Sequence, residues 1–340
     1  MKNATHIDYL FTGSLFYATG GGGNPIRAKQ IMRALSERNI VPPLIAPKDL
    51  NAQGMCITGF SVGGLQSDVI SRKLLRTMLA RYQSILKQPV QAIIPVEIGP
   101  LSLAVSMELA SILHLPVVDA DVVGGRSTPE VFLETITLFS IPRVPLLVFN
   151  AEGSYETLTK TVSYKKEERF LRSFAAKSGG FAYVFGYPLK KQTILTSVAQ
   201  NTVSQAIRVG RMIRQKTLTD NLSFINAKTL FSGTVSAIKK IDQEGFSAKD
   251  VTLVNQKQKA RLYIKNENII FWIDNKIVLT CPDLIVLVDK NYFPVSNEYI
   301  HSGMRVTVLG AKTVPLWRTV KGKRLFHPSL FGFTIPQVLL

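Results

Sequence analysis

Four consecutive glycines, Gly20–Gly23, are the strongest chemical signal in the sequence. Consecutive glycines let the backbone approach a ligand closely, and the free N–H groups of a helix that starts at Asn24-Pro25 would favour an anion. No Gly-Lys-Ser/Thr follows and a helix rather than a strand precedes, so the loop is neither a Walker A loop nor a dinucleotide fingerprint. We therefore expect Gly20, Gly21, Gly22, Gly23 and Asn24 to bind a ligand; the alternative is a tight turn whose glycines serve helix packing.

Acidic side chains follow two predicted strands. Glu97 comes after the run IIPV, while Asp119 and Asp121 come after PVV and before Gly124-Gly125. In open parallel sheets ligands bind beyond the carboxyl ends of the strands, so these acids are expected to meet there. Neighbouring carboxylates raise one another's pKa, which can provide an acid and a base at neutral pH. Glu97, Asp119 and Asp121 are the catalytic candidates; the alternative for the two aspartates is a role in turns.

Other residue types give weaker signals. The loop Thr58–Gly64, which includes the candidate binding residue Gly59, follows a strand and would reach the same sheet edge, although an ordinary strand–helix connection is nearly as good an interpretation. The four histidines lack metal-ligand spacing, so no histidine-rich zinc site is expected. A carboxylate-bound divalent ion stays open without direct support. Cys56 has apolar neighbours and no visible base, which argues against a nucleophile.

The elements that must position these residues alternate between strand and helix over the first two thirds of the chain. Helices are expected from Thr5, from Asn24 to Arg38, over Val69–Leu86, 101–113, from Thr128, and over 165–177 and 193–215; strands are expected at 40–46, 54–60, 90–96, 116–121, 144–150 and 181–187. The strand at 144–150 is expected to pair with the segment after Gly153. Near-continuous apolar strands separated by helices predict an α/β domain with a largely parallel sheet covered by helices on both faces.

The pattern changes after Leu222. Short β-rich runs such as ARLYIK, NIIFWI and LIVLVD are separated by Asn- and Gly-containing turns. This pattern is typical of a compact antiparallel sandwich or barrel. The sequence therefore predicts two tightly packed domains, an α/β domain over residues 1–222 with the glycine loop and the site, and a mostly β domain over residues 223–340.

Charge and composition limit the possible partners. The 340 residues carry a formal net charge of +18, but the basic residues are dispersed in short runs and no nucleic-acid-binding motif accompanies them. A basic solvated surface without a nucleic-acid partner is expected. No apolar stretch approaches ~18 residues and no signal peptide is visible, which predicts a cytoplasmic protein without a membrane partner. Cys56 and Cys281 lie in separate apolar segments and are expected to be buried and reduced.

The sequence resembles the S-methyl-thiohydantoin desulfurase family, formerly an uncharacterised family associated with hydantoinase/oxoprolinase-type proteins. The resemblance covers essentially the whole chain. It rests on the runs TGGGGNP (19–25), VEIG (96–99), VVDAD (117–121), FGYP (185–188), KNENII (265–270), CPDLI (281–285) and PLWRT (315–319). Arg126 and Glu130 lie just after the VVDAD run and join the candidate substrate-binding residues.

The resemblance implies a hydrolase that removes a thiol from an S-substituted thiohydantoin-like ring. Water would add to the carbon of the N=C–S group, a ring nitrogen would be protonated and the thiolate would leave, which needs a carboxylate base, a protonated partner and N–H donors but no redox cofactor. No cofactor or metal is therefore expected. The alternative is a non-catalytic ligand-binding or accessory subunit of a hydantoinase/oxoprolinase-type system. A homo-oligomer is expected because such assemblies are common.

Overall fold

The computed structural model describes residues 4–63, 70–243 and 246–340. The helices are α1 (Ala4–Tyr17), α2 (Pro25–Glu37), α3 (Arg72–Leu86), α4 (Pro100–Leu113), α5 (Thr135–Leu138), α6 (Tyr164–Lys177), α7 (Lys191–Ser197), α8 (Thr202–Arg214), α9 (Pro315–Arg318) and α10 (Val320–Leu325). The strands are β1 (Leu44–Ile45), β2 (Met55–Gly63), β3 (Val90–Ile93), β4 (Val117–Val118), β5 (Ala120–Asp121), β6 (Leu146–Phe149), β7 (Tyr155–Leu158), β8 (Phe181–Lys190), β9 (Ala199–Gln200), β10 (Ala227–Gln243), β11 (Phe246–Val254), β12 (Lys259–Lys265), β13 (Glu267–Ile273), β14 (Lys276–Thr280), β15 (Leu284–Val288) and β16 (Arg305–Ala311).

The first sheet has seven strands in the order β1-β4-β3-β2-β8-β6-β7. Strands β1, β4, β3 and β2 run parallel, whereas β8, β6 and β7 add antiparallel pairs. The predicted largely parallel sheet is therefore wrong, and the sheet is mixed. Apolar runs separated by helices do not reveal strand direction, and β8 returns beside β2 after α6 in the opposite sense. The predicted pairing after Gly153 is confirmed by the β6–β7 hairpin.

Helices cover this sheet on both faces, and the neighbouring residues Cys56 and Ile57 of β2 point into different apolar cores. Helix α3 shows how the sequence produces such a layer. The Ser71 hydroxyl accepts the Leu74 N–H at 3.1 Å and caps its start. Leu75, Met78 and Tyr82 recur at helical spacing and are buried against the sheet.

Two predicted helices differ in the structure. Thr128 starts no helix; the segment 122–134 runs as turns and extended chain, in which the Thr128 and Ser127 N–H groups bond to other segments at Glu97 and Tyr17. The predicted helix 193–215 is two helices, interrupted where β9 pairs with β5 and Asn201 adopts φ +62°. The predicted start of α3 at Val69 and the residue Gly64 lie outside the described residues.

The second sheet is antiparallel, with seven strands in the order β14-β13-β12-β11-β10-β16-β15. It curls until β13 approaches β15, where the Asn268 side chain donates to the Ile285 carbonyl at 2.9 Å. The predicted mostly β C-terminal part is confirmed. Leu284 and Leu309 of this sheet share one buried core with Leu10 and Phe16 of α1, so the two parts of the molecule pack through a continuous apolar layer.

Helices α1 and α8 cross at unusually short range. A Cβ placed on Gly13 would lie 1.7 Å from the Ala206 carbonyl oxygen, and one on Gly210 would lie 1.8 Å from the Tyr9 carbonyl oxygen. Only glycine leaves room for the two backbones at this crossing. The crossing fixes the end of α1, from which the glycine loop continues.

Candidate functional site

A cleft of about 260 Å³ opens where the end of β2, the glycine loop and the segment 122–134 meet. Its lining combines apolar side chains with two carboxyl groups. The lining residues are Gly22, Gly23, Phe60, Ser61, Val62, Gly63, Val96, Glu97, Leu101, Ser102, Val123, Thr128, Pro129, Val131, Glu134, Phe181 and Tyr187. The cleft lies beyond the carboxyl end of β3, where a parallel sheet brings its loops together.

Glu97 is the predicted catalytic candidate that faces this cleft. It lies between β3 and α4, and its carboxylate accepts the Thr128 N–H at 3.3 Å. Burial raises the pKa of Glu97 to about 8; the Thr128 N–H and the Ser127 hydroxyl oppose this rise, and the charges of Asp121 and Glu134 add to it. Glu97 can therefore hold a proton at neutral pH and release it within the cleft.

Glu134 is the second carboxyl of the cleft, and the sequence reasoning missed it. The Arg143 guanidinium donates to it at 2.6 Å, and the Tyr187 hydroxyl lies against it. Burial raises the pKa of Glu134 to about 7, while the Arg143 charge works in the opposite direction. No sequence motif marks Glu134, because it is brought to the cleft by the irregular chain that replaces the predicted helix.

The glycine loop is held by both parts of the molecule. The Asn268 N–H donates to the Thr19 carbonyl at 2.9 Å, and the Asn297 N–H donates to the Gly20 carbonyl at 2.8 Å. On the other side the Leu101 N–H donates to the Gly22 carbonyl at 3.0 Å. As a result Gly22 and Gly23 line the cleft, whereas Gly20 and Gly21 lie against the C-terminal sheet.

Glycine is required at the loop for close approach. A Cβ on Gly21 would lie 2.0 Å from Oε1 of Glu267, and one on Gly22, where φ is +77°, would lie 2.5 Å from Cδ of Pro100. The packing interpretation of the glycine run thus has a direct structural basis. Contact between ligand and loop remains a prediction, and it now concerns Gly22 and Gly23.

Asn24 caps the helix that follows. Its side-chain oxygen accepts the Ile26 N–H at 2.9 Å and the Arg27 N–H at 3.1 Å. The N-terminus of α2, which was expected to need an anionic partner, is therefore satisfied by its own side-chain cap. Asn24 does not line the cleft.

The two aspartates bond to backbone rather than facing the cleft. Asp119 accepts the Ser204 N–H at 2.9 Å in the first turn of α8. Asp121 is fully buried and accepts the N–H groups of Gly124 and Gly125 at 2.8 and 2.7 Å. Burial raises the pKa of Asp121 to about 7. Asp121 thereby shapes the turn that carries the cleft wall at Val123.

The remaining predicted binding residues also lie outside the cleft lining. Arg126 is buried, donates to the Ser127 and Pro282 carbonyls and stacks over the Phe326 ring at 4.6 Å. Glu130 forms an ion pair with Lys265 at 2.6 Å. Gly59 lies in β2, where an added Cβ would lie 2.6 Å from Leu109 of α4.

Glu267 reaches the loop from the C-terminal sheet. It is buried, and its Oε1 accepts the Gly22 N–H at 3.3 Å. Burial, with the charge of Glu97 as the next cause, raises the pKa of Glu267 well above its usual value, and the Arg126 charge opposes this. The run KNENII contained this residue, but no spacing rule connects position 267 to a glycine loop at position 22.

Metal-ligand clusters and membrane-spanning helices are both absent from residues 4–63, 70–243 and 246–340. Within these ranges no three His, Cys, Asp or Glu side chains cluster so as to hold a metal ion. Across the same ranges no helix has the length and apolarity to cross a membrane. Cys56 and Cys281 are free thiols and buried, as predicted, and burial raises the pKa of each to about 12.

These features define a two-domain protein with a mixed α/β part and an acid-lined cleft. The chain belongs to the S-Me-THD-like family: the description "S-Me-THD-like, N-terminal domain" matches residues 5–160 and "S-Me-THD-like, C-terminal domain" matches residues 162–339. The resemblance to the S-methyl-thiohydantoin desulfurase family and the two-domain organisation are thus confirmed. The boundary at 222 stays a prediction, and the family domains meet at 160–162.

A solved structure supports the fold. The crystal structure of a protein from Chromobacterium violaceum is similar with a TM-score of 0.82 at 19% sequence identity, and the match covers 98% of this chain and 97% of that one. At this identity the similarity concerns the fold alone. Among proteins with curated descriptions, none matches the chain.

Proposed function

We propose that the protein is a hydrolase that removes a thiol from an S-substituted thiohydantoin-like ring bound in the cleft. The family name suggests this chemistry, and the observation that carries the proposal is Glu97. Its carboxyl group faces the cleft, and burial raises its pKa to about 8. A carboxyl group that is protonated near neutral pH is suited to general acid–base work.

In the proposed reaction Glu97 donates its proton to the ring nitrogen of the N=C–S group. Water then adds to the carbon and passes one proton to the Glu97 carboxylate, which restores the acid. The C–S bond breaks as the carbonyl forms, and the remaining hydroxyl proton leaves with the thiolate as thiol. The products are the hydantoin-type ring and the free thiol, and the enzyme is unchanged.

Other residues are assigned supporting roles in this proposal. Glu134, held by Arg143 and Tyr187, is placed to accept a hydrogen bond from a ring N–H. Asp121 is assigned as a positioning residue, because it fixes the turn at Gly124–Gly125 rather than touching a ligand. Gly22 and Gly23 give the ring a backbone surface to lie against, while the N–H and carbonyl of Gly22 stay bonded to Glu267 and Leu101.

The alternative function is ligand binding without catalysis, as an accessory protein of a hydantoinase/oxoprolinase-type system.

The hydrolase and the accessory protein are distinguished by incubating the purified protein with S-methyl-thiohydantoins and following methanethiol with a thiol reagent. We expect release by the wild type and a loss of about 10²- to 10⁴-fold in Glu97→Gln. Glu156→Gln on the exposed strand β7 is the matched control. Binding without release by the wild type would establish the accessory alternative instead.

A further inference from the structure

The described lining of the cleft lacks the basic side chains that give the whole molecule its positive charge. The chain carries a formal net charge of +18, yet the described residues that line the cleft include no lysine, arginine or histidine. Their ionisable side chains are Glu97, Glu134 and Tyr187. We propose that the cleft selects ring ligands with neutral or cationic substituents and excludes ligands that carry a carboxylate or phosphate. This inference rests on the proposed function and specifies its substrate class.

Two buried arginines, Arg143 and Arg126, lie outside the described cleft lining. Arg143 lies behind Glu134, donates to it at 2.6 Å and to the Thr137 hydroxyl at 2.6 Å, and has Glu167 at 3.8 Å. Arg126 donates to the Ser127 and Pro282 carbonyls through Nε and Nη1; its Nη2 has no hydrogen-bond partner among the described residues, but the side chain does not line the cleft. An anionic substituent would lose its hydration in the cleft without gaining a charged partner.

One feature of the cleft would favour an anion, namely the first turn of α4. Leu101 and Ser102 of this turn line the cleft. A helix N-terminus carries about half an elementary charge. The Leu101 N–H is already bonded to the Gly22 carbonyl, and Glu97 precedes the helix by three residues. The N-terminus of α4 therefore offers an anion little beyond this partial charge, and no basic side chain of the described lining adds to it.

Much of the remaining cleft lining is apolar. Phe60, Val62 and Phe181 line it from β2 and β8, and Leu101 and Val131 extend it. Burial of apolar ligand surface against such side chains contributes about 25 cal/mol per Å². The cleft thus suits a ring with an alkyl substituent, with the polar ring edge toward Glu97 and Glu134.

The test compares three S-methyl-thiohydantoins that differ only in the ring substituent, which is isobutyl, 4-aminobutyl or 2-carboxyethyl. Thiol release gives KM and kcat, and calorimetry with the three corresponding hydantoins gives Kd without turnover. We expect KM and Kd of the isobutyl and aminobutyl compounds to be at least tenfold lower than those of the carboxyethyl compound. Equal or tighter binding of the carboxyethyl compound would overturn the inference, as would the absence of binding by all three.

The calorimetric arm separates the two proposals. If the hydantoins bind in the expected order but no compound releases thiol, charge selection stands and the proposed hydrolysis fails. If all three compounds release thiol with equal KM, the hydrolysis stands and charge selection fails.

A charge placed in the lining provides a second measurement. Ser102→Lys adds a cation beside the cleft and is expected to lower the Kd of the carboxyethyl hydantoin about tenfold. Ser84→Lys on the exposed face of α3 adds the same charge elsewhere and should leave all three affinities unchanged. If both lysine variants improve anion binding equally, net charge rather than the cleft controls affinity.

Discussion

The surroundings of Glu97 raise the pKa of its carboxyl group. This suits the group to proton transfer, but its ionisation then costs folding free energy. Its carboxyl group is half-buried in the cleft lining, and two other acids, Asp121 and Glu134, oppose its ionisation. A group in such surroundings keeps its proton to higher pH than it would in the unfolded chain. If Glu97 takes part in the reaction, its raised pKa must therefore affect the pH dependence of both the rate and the folding stability.

The pH dependence of the rate follows from the direction of this shift. If Glu97 donates the proton, its active form is present below its pKa of about 8 and is lost as the pH rises through that value. We expect kcat for thiol release to fall tenfold per pH unit above about pH 8. A kcat that rises across this range would show that Glu97 acts only as a base.

The pH dependence of stability provides an independent measurement. The pKa of Glu97 is higher in the folded protein than in the unfolded chain, so its ionisation costs folding free energy as the pH rises from about 4 toward 8. The wild type should lose stability relative to Glu97→Gln over this window, by several kcal/mol at most because the cleft opening admits solvent. Urea unfolding of both proteins at pH 5 and pH 8 measures this; a constant difference would contradict the raised pKa.

At the scale of elements, the sequence predicted types of structure better than directions and connections. The cap Asn24-Pro25 and the runs at 54–60 and 144–150 carry local signals, and their elements were found. The helix expected at Thr128 is absent, and the chain there is held by hydrogen bonds to Glu97 and Tyr17, which are distant in sequence. Local patterns contain no information about such partners.

The crossing of α1 and α8 gives a prediction at this scale. Alanine normally stabilises a helix interior relative to glycine by about 1 kcal/mol. At Gly210, however, an added Cβ would lie 1.8 Å from the Tyr9 carbonyl oxygen, so Gly210→Ala should be destabilising by about 2 kcal/mol or more. Thermal unfolding measures the effect, with Ser84→Ala on exposed α3 as the control. A Gly210→Ala variant as stable as the wild type would refute the close crossing.

At the scale of the whole molecule, the site depends on contacts that join the two sheets. Of the predicted acids, Glu97 was placed correctly by the rule for strand ends, whereas Asp119 and Asp121 satisfy backbone groups near their own strands. Glu267 could not be predicted, because only the three-dimensional fold brings the start of β13 beneath Gly22. Residues that act across domains leave no spacing pattern in the sequence.

Removing Glu267 tests this contact. Glu267→Ala leaves the buried Gly22 N–H without its acceptor and opens space beneath the loop, so we expect a loss of about 2–4 kcal/mol in unfolding free energy and faster exchange of the Gly22 amide. Glu267→Gln keeps an acceptor oxygen and should retain most of the stability. Glu298→Ala on the surface is the control. Equal losses in the Gln and Ala variants would mean that the hydrogen bond to Gly22 has no part in the effect.

Strand β8 has a practical consequence for anyone who divides this protein into fragments. It occupies an inner position of the first sheet, between β2 and β6, although it lies beyond residue 162 in the chain. A fragment cut at residue 160 would leave the long edge of β2 unpaired and separate the β6–β7 hairpin from the sheet. An unpaired apolar edge of this kind recruits strands from other chains, so such a fragment is expected to aggregate when expressed alone.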